Sequence, residues 1–329
     1  MNQKILTIVV PVYNMEDCLN RCLDSLLISS QELMQMLEVI VVNDGSSDGT
    51  SALAHSYETR FPGVFYVIDK ENGNSGSCIN AALEVATGKY FRQLDADDWL
   101  DTEVLEQFIP LLMEREEDCV STPHKNVYDD GGFTLYDAHS VVFGRKYLVD
   151  DVHLQSGEGG VLTMHSLTFR LDLLRRIGHR QQEDIQYTDI EQCYFPLTAA
   201  RDIVFYNICL YQYYHGRKGQ AVSPGNVRRN RSHMLRVTQR LVADYAARQT
   251  TLSANRRRIL KRLIILTMYP AYVNYLLYDA NEPDFLKLDR QIASLPDLNI
   301  MAEGFQLKGM PFVKLWHDHG LAPQFLLYA

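Results

Sequence analysis

Residues 94–99 read LDADDW and follow the apolar pair Tyr90-Phe91, so three carboxylates fall within four residues at the end of a predicted buried strand. Asp95 and Asp97 are two residues apart, and on an extended backbone their side chains point the same way. Carboxylates held this close repel one another unless a cation neutralises them. Because hard oxygen ligands suit small divalent ions, the stretch predicts a site for Mg²⁺ or Mn²⁺.

A structural interpretation of the same acids is also open. Asp98 or Asp101 is placed to cap a helix that begins near Thr102. An aspartate at such a position accepts hydrogen bonds from the first free amides of the helix.

The composition is that of an ordinary globular protein. The 329 residues, 46% hydrophobic and 22% charged, are enough for one large domain or two. The first residues lead directly into a strand-like run with no signal peptide, which predicts a cytoplasmic protein. No CxxC pair occurs among the six cysteines, so we expect reduced and mostly buried thiols. The cysteines are Cys18, Cys22, Cys78, Cys119, Cys193 and Cys209.

Charge is unevenly distributed along the chain. The net charge is −9, yet residues 225–265 carry eleven Lys and Arg against the single acid Asp244. The acidic remainder argues against a nucleic-acid-binding protein. The basic segment fits an anionic membrane surface or a polyphosphate-linked substrate. A basic face packed on the acidic body, or a homodimer interface, is the alternative.

The first 120 residues alternate strand and helix patterns, which predicts an α/β fold with a doubly wound, mainly parallel sheet. Ligands bind such sheets beyond the carboxyl ends of the strands. Polar residues follow three of these ends, at residues 13–14, 43–44 and 95–97. The predicted strands are Ile5–Tyr13, Glu38–Asn43, Val64–Ile68 and Lys89–Leu94, and the predicted helices are Glu16–Leu27, Asp48–Tyr57 and Ser75–Ala86.

The second half predicts a hairpin turn at residues 129–132, a helix over Thr188–Ala199 and a C-terminal helical extension. Long basic helices are predicted over Arg229–Ala247 and Asn255–Tyr278. We therefore expect a first domain over residues 1–223 and a helical one over 224–329. The apolar run at residues 263–278 is too short, and too interrupted by Pro270, for a membrane span.

Five motifs in order resemble the family 2 glycosyltransferases, inverting nucleotide-sugar-dependent enzymes of GT-A fold, and in particular their capsule and exopolysaccharide members. The resemblance covers about the first two thirds of the chain and omits the helical remainder. The motifs are VPVYN at residues 10–14, NDGSSDGT at 43–50, NGNSG at 72–76 with NAAL at 80–83, GKY at 88–90 and DADD at 95–98.

The resemblance assigns roles to individual residues. It implies that Asp44 binds the nucleobase, that Asp95 lies near the ribose and sugar, and that Asp97 ligates a Mn²⁺ or Mg²⁺ ion held by the diphosphate. His215 and Arg217, with Lys218, follow where relatives close a loop over the diphosphate, although a basic turn is also typical of a plain surface loop. The expected donor-binding residues are Pro11, Val12, Tyr13, Asn14, Asp44, Asn74, Gly76, Asp95, Ala96, Asp97, His215 and Arg217.

An inverting transfer also requires a general base. Asp184 and Asp189 are the candidates, and Asp189 is preferred because it opens an amphipathic helix in the manner of the family's base-bearing segment. Either acid could instead be a helix cap or a solvated loop residue. His215 is an optional further metal ligand, and His165 is either an acceptor contact or a core histidine.

The resulting hypothesis is an inverting glycosyltransferase. It would move a sugar from a UDP-sugar to a saccharide or lipid-linked saccharide, in cell-surface polysaccharide synthesis at the inner membrane face. A sugar-nucleotide pyrophosphorylase would need a glycine-rich triphosphate loop after the first strand, where this chain has VPVYN. A non-catalytic nucleotide-sugar-binding or scaffold protein of the same fold is the remaining alternative.

Overall fold

The chain is described by a computed structural model over residues 3–137, 141–154, 161–217, 220–221 and 223–320. It divides into two compact units, Met1–Lys218 and Gly219–Ala329. The domain boundary predicted from the sequence lies a few residues further along and stays a prediction.

The described part of the first unit contains twelve strands and seven helices. The strands are β1 Leu6–Val12, β2 Leu37–Asn43, β3 Phe65–Asp69, β4 Tyr90–Gln93, β5 Trp99–Leu100, β6 Cys119–Ser121, β7 His124–Tyr128, β8 Phe133–Tyr136, β9 Lys146–Leu148, β10 Leu167–Arg170, β11 Asp202–Phe205 and β12 Tyr211–His215. The helices are α1 Leu19–Asp24, α2 Gln31–Met34, α3 Thr50–Arg60, α4 Asn74–Val85, α5 Thr102–Met113, α6 Leu171–Arg176 and α7 Asp189–Ala199.

Eight strands form one large sheet in the order β3-β2-β1-β4-β10-β6-β11-β9. β1 pairs in parallel with β2 and β4, and β2 pairs in parallel with β3. Every residue of β2 is buried, as expected for an apolar strand covered on both faces. The mainly parallel α/β sheet predicted from the sequence is therefore confirmed. β10 interrupts the pattern, since it runs antiparallel to both β4 and β6.

A second sheet has the order β5-β12-β7-β8. β7 and β8 form the predicted hairpin, and the Asp130 carboxylate accepts a hydrogen bond from the Gly132 amide at 2.8 Å within its turn. The acidic stretch connects β4 of the large sheet to β5 of the second sheet. The position of the second sheet therefore constrains the position of the acidic stretch.

The structure distinguishes between Asp98 and Asp101, the two candidate caps of the helix that begins near Thr102. Asp101 caps α5, since its Oδ1 accepts a hydrogen bond from the Val104 amide at 3.1 Å. Asp98 does not cap this helix. The third helix begins at Thr50 and not at Asp48, whose carboxylate instead accepts the Thr50 amide at 3.0 Å.

The described part of the second unit consists of helices. Two of them, α9 (Arg231–Arg248) and α10 (Ala254–Tyr278), correspond to the predicted basic helices. The Tyr275 ring of α10 stacks on Phe285 of α11 (Pro283–Ala293) with centroids 5.0 Å apart. No described helix is long and apolar enough to span a membrane. The helices are α8 Pro224–Arg229, α9 Arg231–Arg248, α10 Ala254–Tyr278, α11 Pro283–Ala293, α12 Pro296–Glu303 and α13 Phe312–His319.

Candidate functional site

The acidic stretch lies where parallel strands of the large sheet end. Just after β4, the Leu94 amide donates to the carbonyl of Val9 on β1 at 2.9 Å. Just after β2, the Asp44 amide donates to the carbonyl of Val12 at 2.9 Å. The ends of three strands therefore meet at one edge of the sheet, which is where such folds bind ligands.

The three acids of the stretch have different surroundings, and Asp98 is the buried one. Its carboxylate accepts hydrogen bonds from the Tyr211 hydroxyl at 2.6 Å and from the Tyr214 amide at 2.7 Å. Burial raises the pKa of Asp98 well above its ordinary value, and the charges of Asp95 and Asp97 raise it further. Asp98 thus anchors the stretch to β12 and does not face a ligand.

Asp95 is half-buried at the sheet edge. Its Oδ1 accepts a hydrogen bond from Gln93 Nε2 at 2.9 Å, and its amide donates to the Tyr211 hydroxyl at 3.2 Å. Burial, followed by the charge of Asp97, raises the pKa of Asp95 to about 7. Ala96, between the two acids, is buried.

Two arginines contact Asp97. Arg217 Nε donates to its Oδ2 at 2.8 Å, so a predicted metal ligand and a predicted diphosphate ligand are ion-paired. Arg21 donates to the backbone carbonyl of Asp97 at 2.7 Å. The Arg21 guanidinium also lies over the rings of Trp99 and Tyr214, at 4.1 and 4.7 Å from their centroids. These contacts fix the position of Asp97 from both sides.

The carboxylate of Asp97 fits a metal ion that also binds a substrate phosphate. Among the described residues, no group of three His, Cys, Asp or Glu side chains could hold a metal ion. Mg²⁺, however, commonly keeps several waters and binds through one or two carboxylates together with substrate phosphates. The carboxylate of Asp97 fits such a shared site, and metal binding there stays a prediction.

Asp44 is buried at the end of β2 and is held by its neighbours. Its Oδ1 accepts hydrogen bonds from Lys70 Nζ at 2.8 Å and from the Gly73 amide at 2.9 Å. Its carbonyl accepts a hydrogen bond from Asn72 Nδ2 at 2.9 Å. The loop before α4 is thereby tied to β2. The contact of Asp44 with a nucleobase stays a prediction.

The end of β1 forms the adjacent rim. Val12 is buried and Pro11 half-buried, whereas 50% of Tyr13 is exposed. Asn14 has a φ of +52°, and its Oδ1 accepts a hydrogen bond from the Ser47 amide at 2.9 Å. An exposed ring beside a buried strand end is suited to stacking on a ligand.

The start of α4 packs against the segment that precedes α7. Asn74 begins the helix with a φ of +63°, and the Gly73 carbonyl accepts the Asp184 amide at 2.8 Å. A Cβ on Gly76 would lie 2.0 Å from the Gln182 carbonyl oxygen. Gly76 is therefore required by close packing, while its predicted contact with the donor stays a prediction.

The two candidate bases differ in their surroundings. Asp184 is exposed and has a φ of +61°. Asp189 is the first residue of α7, and its carboxylate accepts hydrogen bonds from its own amide and the Ile190 amide. Burial raises the pKa of Asp189 to about 6, and its charge acts on Asp95. Asp189 is thus half-buried and electrostatically coupled to the acidic stretch.

The histidines chosen from the sequence lie among aromatic rings. The His215 ring lies 4.2 Å from the Tyr213 centroid and 5.4 Å from that of Tyr128, and burial lowers its pKa. The lowered pKa disfavours the charged form of the ring, and the diphosphate contact of His215 stays a prediction. His165 stacks on Tyr213 at 4.3 Å. Lys218 lies outside the described residues.

Sequence reasoning missed three residues that build the site. Tyr211 bridges Asp95 and Asp98, Arg21 holds the Asp97 carbonyl, and Arg92 is fully buried beneath the Tyr211 ring. The alternation Tyr-x-Tyr-x-His in β12 signals a strand with one aromatic face, which could have pointed to Tyr211. No comparable pattern marks Arg21 or Arg92.

The chain was compared with known families and structures. The model of the family described as "Glycosyl transferase family 2" matches residues 7–178, more than half of the chain. Chondroitin synthase of Pasteurella multocida (strain Pm70) is 33% identical over 145 residues, covering 44% of this chain and 15% of that protein. Glycosyltransferase GlyG of Streptococcus pneumoniae serotype 4 is 25% identical over 222 residues, covering 64% and 70%.

Among solved structures, S. aureus TarS 1-349 in complex with UDP-GlcNAc superposes with a TM-score of 0.63 at 16% identity, covering 96% of this chain and 92% of that one. This likeness confirms the expected GT-A fold. The chain spans only 14% to 38% of the length of four curated relatives at 31–33% identity.

Replacing Tyr211 with phenylalanine is expected to destabilise the first unit by about 1–3 kcal/mol, because the buried Asp98 carboxylate loses a hydrogen-bond donor. Urea unfolding in a Trp316→Phe background measures this, since Trp99 is then the only tryptophan. Tyr213→Phe is the matched control on the same strand and should change stability by less than about 0.5 kcal/mol. Equal losses in the two variants would contradict the assigned role of Tyr211.

Proposed function

Because the chain belongs to glycosyl transferase family 2, we propose that it is an inverting glycosyltransferase of cell-surface polysaccharide synthesis. It takes a sugar from a nucleotide donor, with UDP as the nucleotide, and transfers it to a saccharide or lipid-linked saccharide. The family supplies the reaction type, and the arrangement of named acids supports it in this chain.

One observation carries the proposal. Asp189 is half-buried at the start of α7, and its charge acts on Asp95, which lies just after β4. An acid proposed as the base and an acidic stretch proposed to bind the donor, which are far apart in the sequence, therefore interact electrostatically. The shifted pKa of Asp189 does not come from a structural ion pair, because burial is its largest cause and no described cation contributes to it.

The mechanism follows from these positions. Asp189 accepts the proton of the acceptor hydroxyl, and the oxygen attacks the anomeric carbon on the face opposite the departing diphosphate. The configuration at that carbon is therefore inverted. A pKa of about 6 leaves Asp189 mostly ionised at neutral pH and makes it a stronger base than an ordinary aspartate.

The departing diphosphate gains negative charge, which the chain must balance. Asp97 would hold a Mn²⁺ or Mg²⁺ ion, which when bound supplies Lewis-acid stabilisation to the leaving group. Arg217 would exchange its 2.8 Å contact with Asp97 for the diphosphate oxygens. In the absence of donor, the same arginine neutralises the Asp97 carboxylate.

A UDP donor is supported by the fold likeness to TarS, whose structure contains UDP-GlcNAc. The exposed ring of Tyr13 and the fixed carboxylate of Asp44 offer stacking and hydrogen bonding for its base. The acceptor is proposed to be carried by the membrane, to which the basic second unit would attach peripherally on the inner face. A homodimer interface remains the alternative use of that basic surface.

Asp97→Ala should abolish transfer and weaken UDP binding mainly when Mn²⁺ is present, because the bridge between protein, metal and diphosphate is lost. Calorimetric titration of UDP with and without Mn²⁺ measures this in wild type and variant. Glu71→Ala, which removes an exposed acid outside the stretch, is the control. Equal UDP affinity with and without metal, in both proteins, would rule out the metal bridge.

Asp189→Asn should lower the transfer rate about 10²-fold or more, since the amide cannot accept the proton. In the wild type, kcat/KM should fall as pH decreases through about 6, where Asp189 becomes protonated. Release of UDP from a panel of nucleotide sugars with acceptor extract gives the rate, and UDP titration checks that the donor site is intact.

Asp184→Asn is the matched control for this experiment and should retain transfer. Loss of transfer in Asp184→Asn with full activity in Asp189→Asn would mean that the wrong carboxylate was chosen. A wild-type protein that binds UDP-sugars but never transfers them would favour the non-catalytic alternative.

The second unit should bind vesicles in proportion to their anionic lipid content, and binding should weaken with salt. Arg228, Arg229 and Arg236 are exposed, and each is expected to contribute about 1 kcal/mol near an anionic surface. Replacing all three with alanine should therefore sharply reduce co-sedimentation with phosphatidylglycerol vesicles.

A variant with Arg60, Arg145 and Lys314 replaced by alanine is the charge-matched control, since these exposed residues lie outside the basic segment. Binding that ignores both lipid charge and salt, or equal loss in the two variants, would leave the basic segment without a membrane role.

A further inference from the structure

The two arginines at Asp97 contact different parts of this residue. Arg217 Nε donates to Oδ2 of the carboxylate at 2.8 Å, whereas Arg21 donates to the backbone carbonyl at 2.7 Å. The carboxylate is the group that Asp97 would offer to a Mg²⁺ or Mn²⁺ ion. Arg217 therefore holds the same group that the proposed metal ion requires.

Arg21 is a fixed partner of Asp97. Its guanidinium lies 4.1 Å from the centroid of the Trp99 ring and 4.7 Å from that of the Tyr214 ring. Moving Arg21 would break both cation–π contacts together with the hydrogen bond to the Asp97 carbonyl. We therefore expect Arg21 to keep its position when a ligand binds.

Arg217 is a partner that a ligand can displace. Its side chain is 31% exposed and the side chain of Asp97 is 13% exposed. An ion pair with this much access to water is weak, because water competes for both charges. A diphosphate carries several negative charges and accepts paired hydrogen bonds from a guanidinium, so it is the stronger partner for Arg217.

Arg217 extends from a backbone that the β7–β8 hairpin holds in place. The preceding residue, Gly216, has a φ of +142°, and a Cβ there would lie 2.5 Å from Asp129 Oδ2 in the hairpin turn. The hydroxyl of Tyr214 donates a hydrogen bond to the same carboxylate. The position from which the Arg217 side chain reaches Asp97 is thus set by close packing on the hairpin.

We propose that Arg217 is a specificity-determining residue, which excludes a free divalent cation from the Asp97 carboxylate and allows one that is bound to a diphosphate. The inference rests on the proposed function and concerns the selectivity of its donor site. A free cation has to break the ion pair and is then repelled by the guanidinium. A diphosphate draws the guanidinium to its own oxygens, which leaves the carboxylate to the cation that the diphosphate carries.

This selectivity combines an attraction with a repulsion. The carboxylates of the acidic stretch attract cations in general, and Arg217 opposes the binding of those that bring no anion. Both Asp97 and Arg217 have a partner of opposite charge before and after the donor binds. Because coupling between two ligands is reciprocal, UDP and the cation should strengthen each other's binding, and Arg217 should account for part of this coupling.

Electron paramagnetic resonance of Mn²⁺ without nucleotide tests this on the full chain, because the signal of the free aqueous ion falls as the ion binds. Arg217→Ala should bind Mn²⁺ about tenfold more tightly than the wild type, since a positive charge beside the carboxylate is removed. Arg217→Lys keeps the charge and should bind Mn²⁺ as weakly as the wild type. Adding Asp97→Ala to Arg217→Ala should abolish the gain.

Arg21→Ala is the matched control. It removes the same charge from the backbone carbonyl of Asp97 and leaves the ion pair at the carboxylate in place. The Mn²⁺ affinity should then change by less than about threefold, because a charge that does not contact the carboxylate acts on it more weakly.

Titration with UDP in EDTA measures the other half of the exchange. Arg217→Ala should weaken metal-free UDP binding about three- to tenfold, because the diphosphate loses a charged hydrogen-bond donor. One substitution should therefore strengthen the binding of Mn²⁺ and weaken that of UDP, whereas a general structural defect would weaken both. Arg217→Gln, which keeps a polar side chain, should show the same opposite changes.

The outcomes separate this inference from the proposed function. A wild type that binds no nucleotide sugar would overturn the proposed function. If the wild type binds UDP but Arg217→Ala gains no affinity for Mn²⁺, the role of Arg217 is overturned and the proposed function stands. The same follows if Arg21→Ala gains as much as Arg217→Ala, if the gain survives the loss of Asp97, or if Arg217→Ala and Arg217→Gln bind both ligands more weakly.

Discussion

The burial of the Asp98 carboxylate is the constraint on which the site depends. A carboxylate without water is costly unless it is well hydrogen-bonded, and only Tyr211 and the Tyr214 amide supply these bonds among the described contacts of its oxygens. Both donors belong to β12. Moving the acidic stretch away from the second sheet would therefore leave the Asp98 carboxylate without these hydrogen bonds. Asp95 and Asp97 take their positions from that anchor.

The attachment of Asp98 to β12 also affects the pKa values of the neighbouring acids. It keeps several acids close together, and burial together with their mutual repulsion accounts for the raised pKa values of Asp95 and Asp98. Arg21 and Arg217 offset this repulsion at Asp97. The edge of the sheet is therefore negative but partly compensated, an arrangement that favours the arrival of a cation or of a ligand that carries one.

The order of the first strands and helices could be predicted because their apolar runs are uninterrupted and the chain alternates regularly. The separate roles of Asp95, Asp97 and Asp98 could not, because three adjacent acids look alike until the partner strand is known. Tyr211 lies 113 residues from Asp98, and no local pattern links them. Asp189 was identified through resemblance, while its burial depends on packing that sequence spacing does not reveal.

The close packing at Gly76 limits which residues can replace it. Since any Cβ there would lie 2.0 Å from the Gln182 carbonyl oxygen, an alanine would push the segment that leads to α7 away from α4. That segment is also held by Glu191, which accepts the Gln182 amide at 2.9 Å. A random library selected for function should therefore retain glycine at residue 76 as strictly as it retains the acids, although residue 76 carries no chemical group. Its lack of a side chain is what selection would preserve.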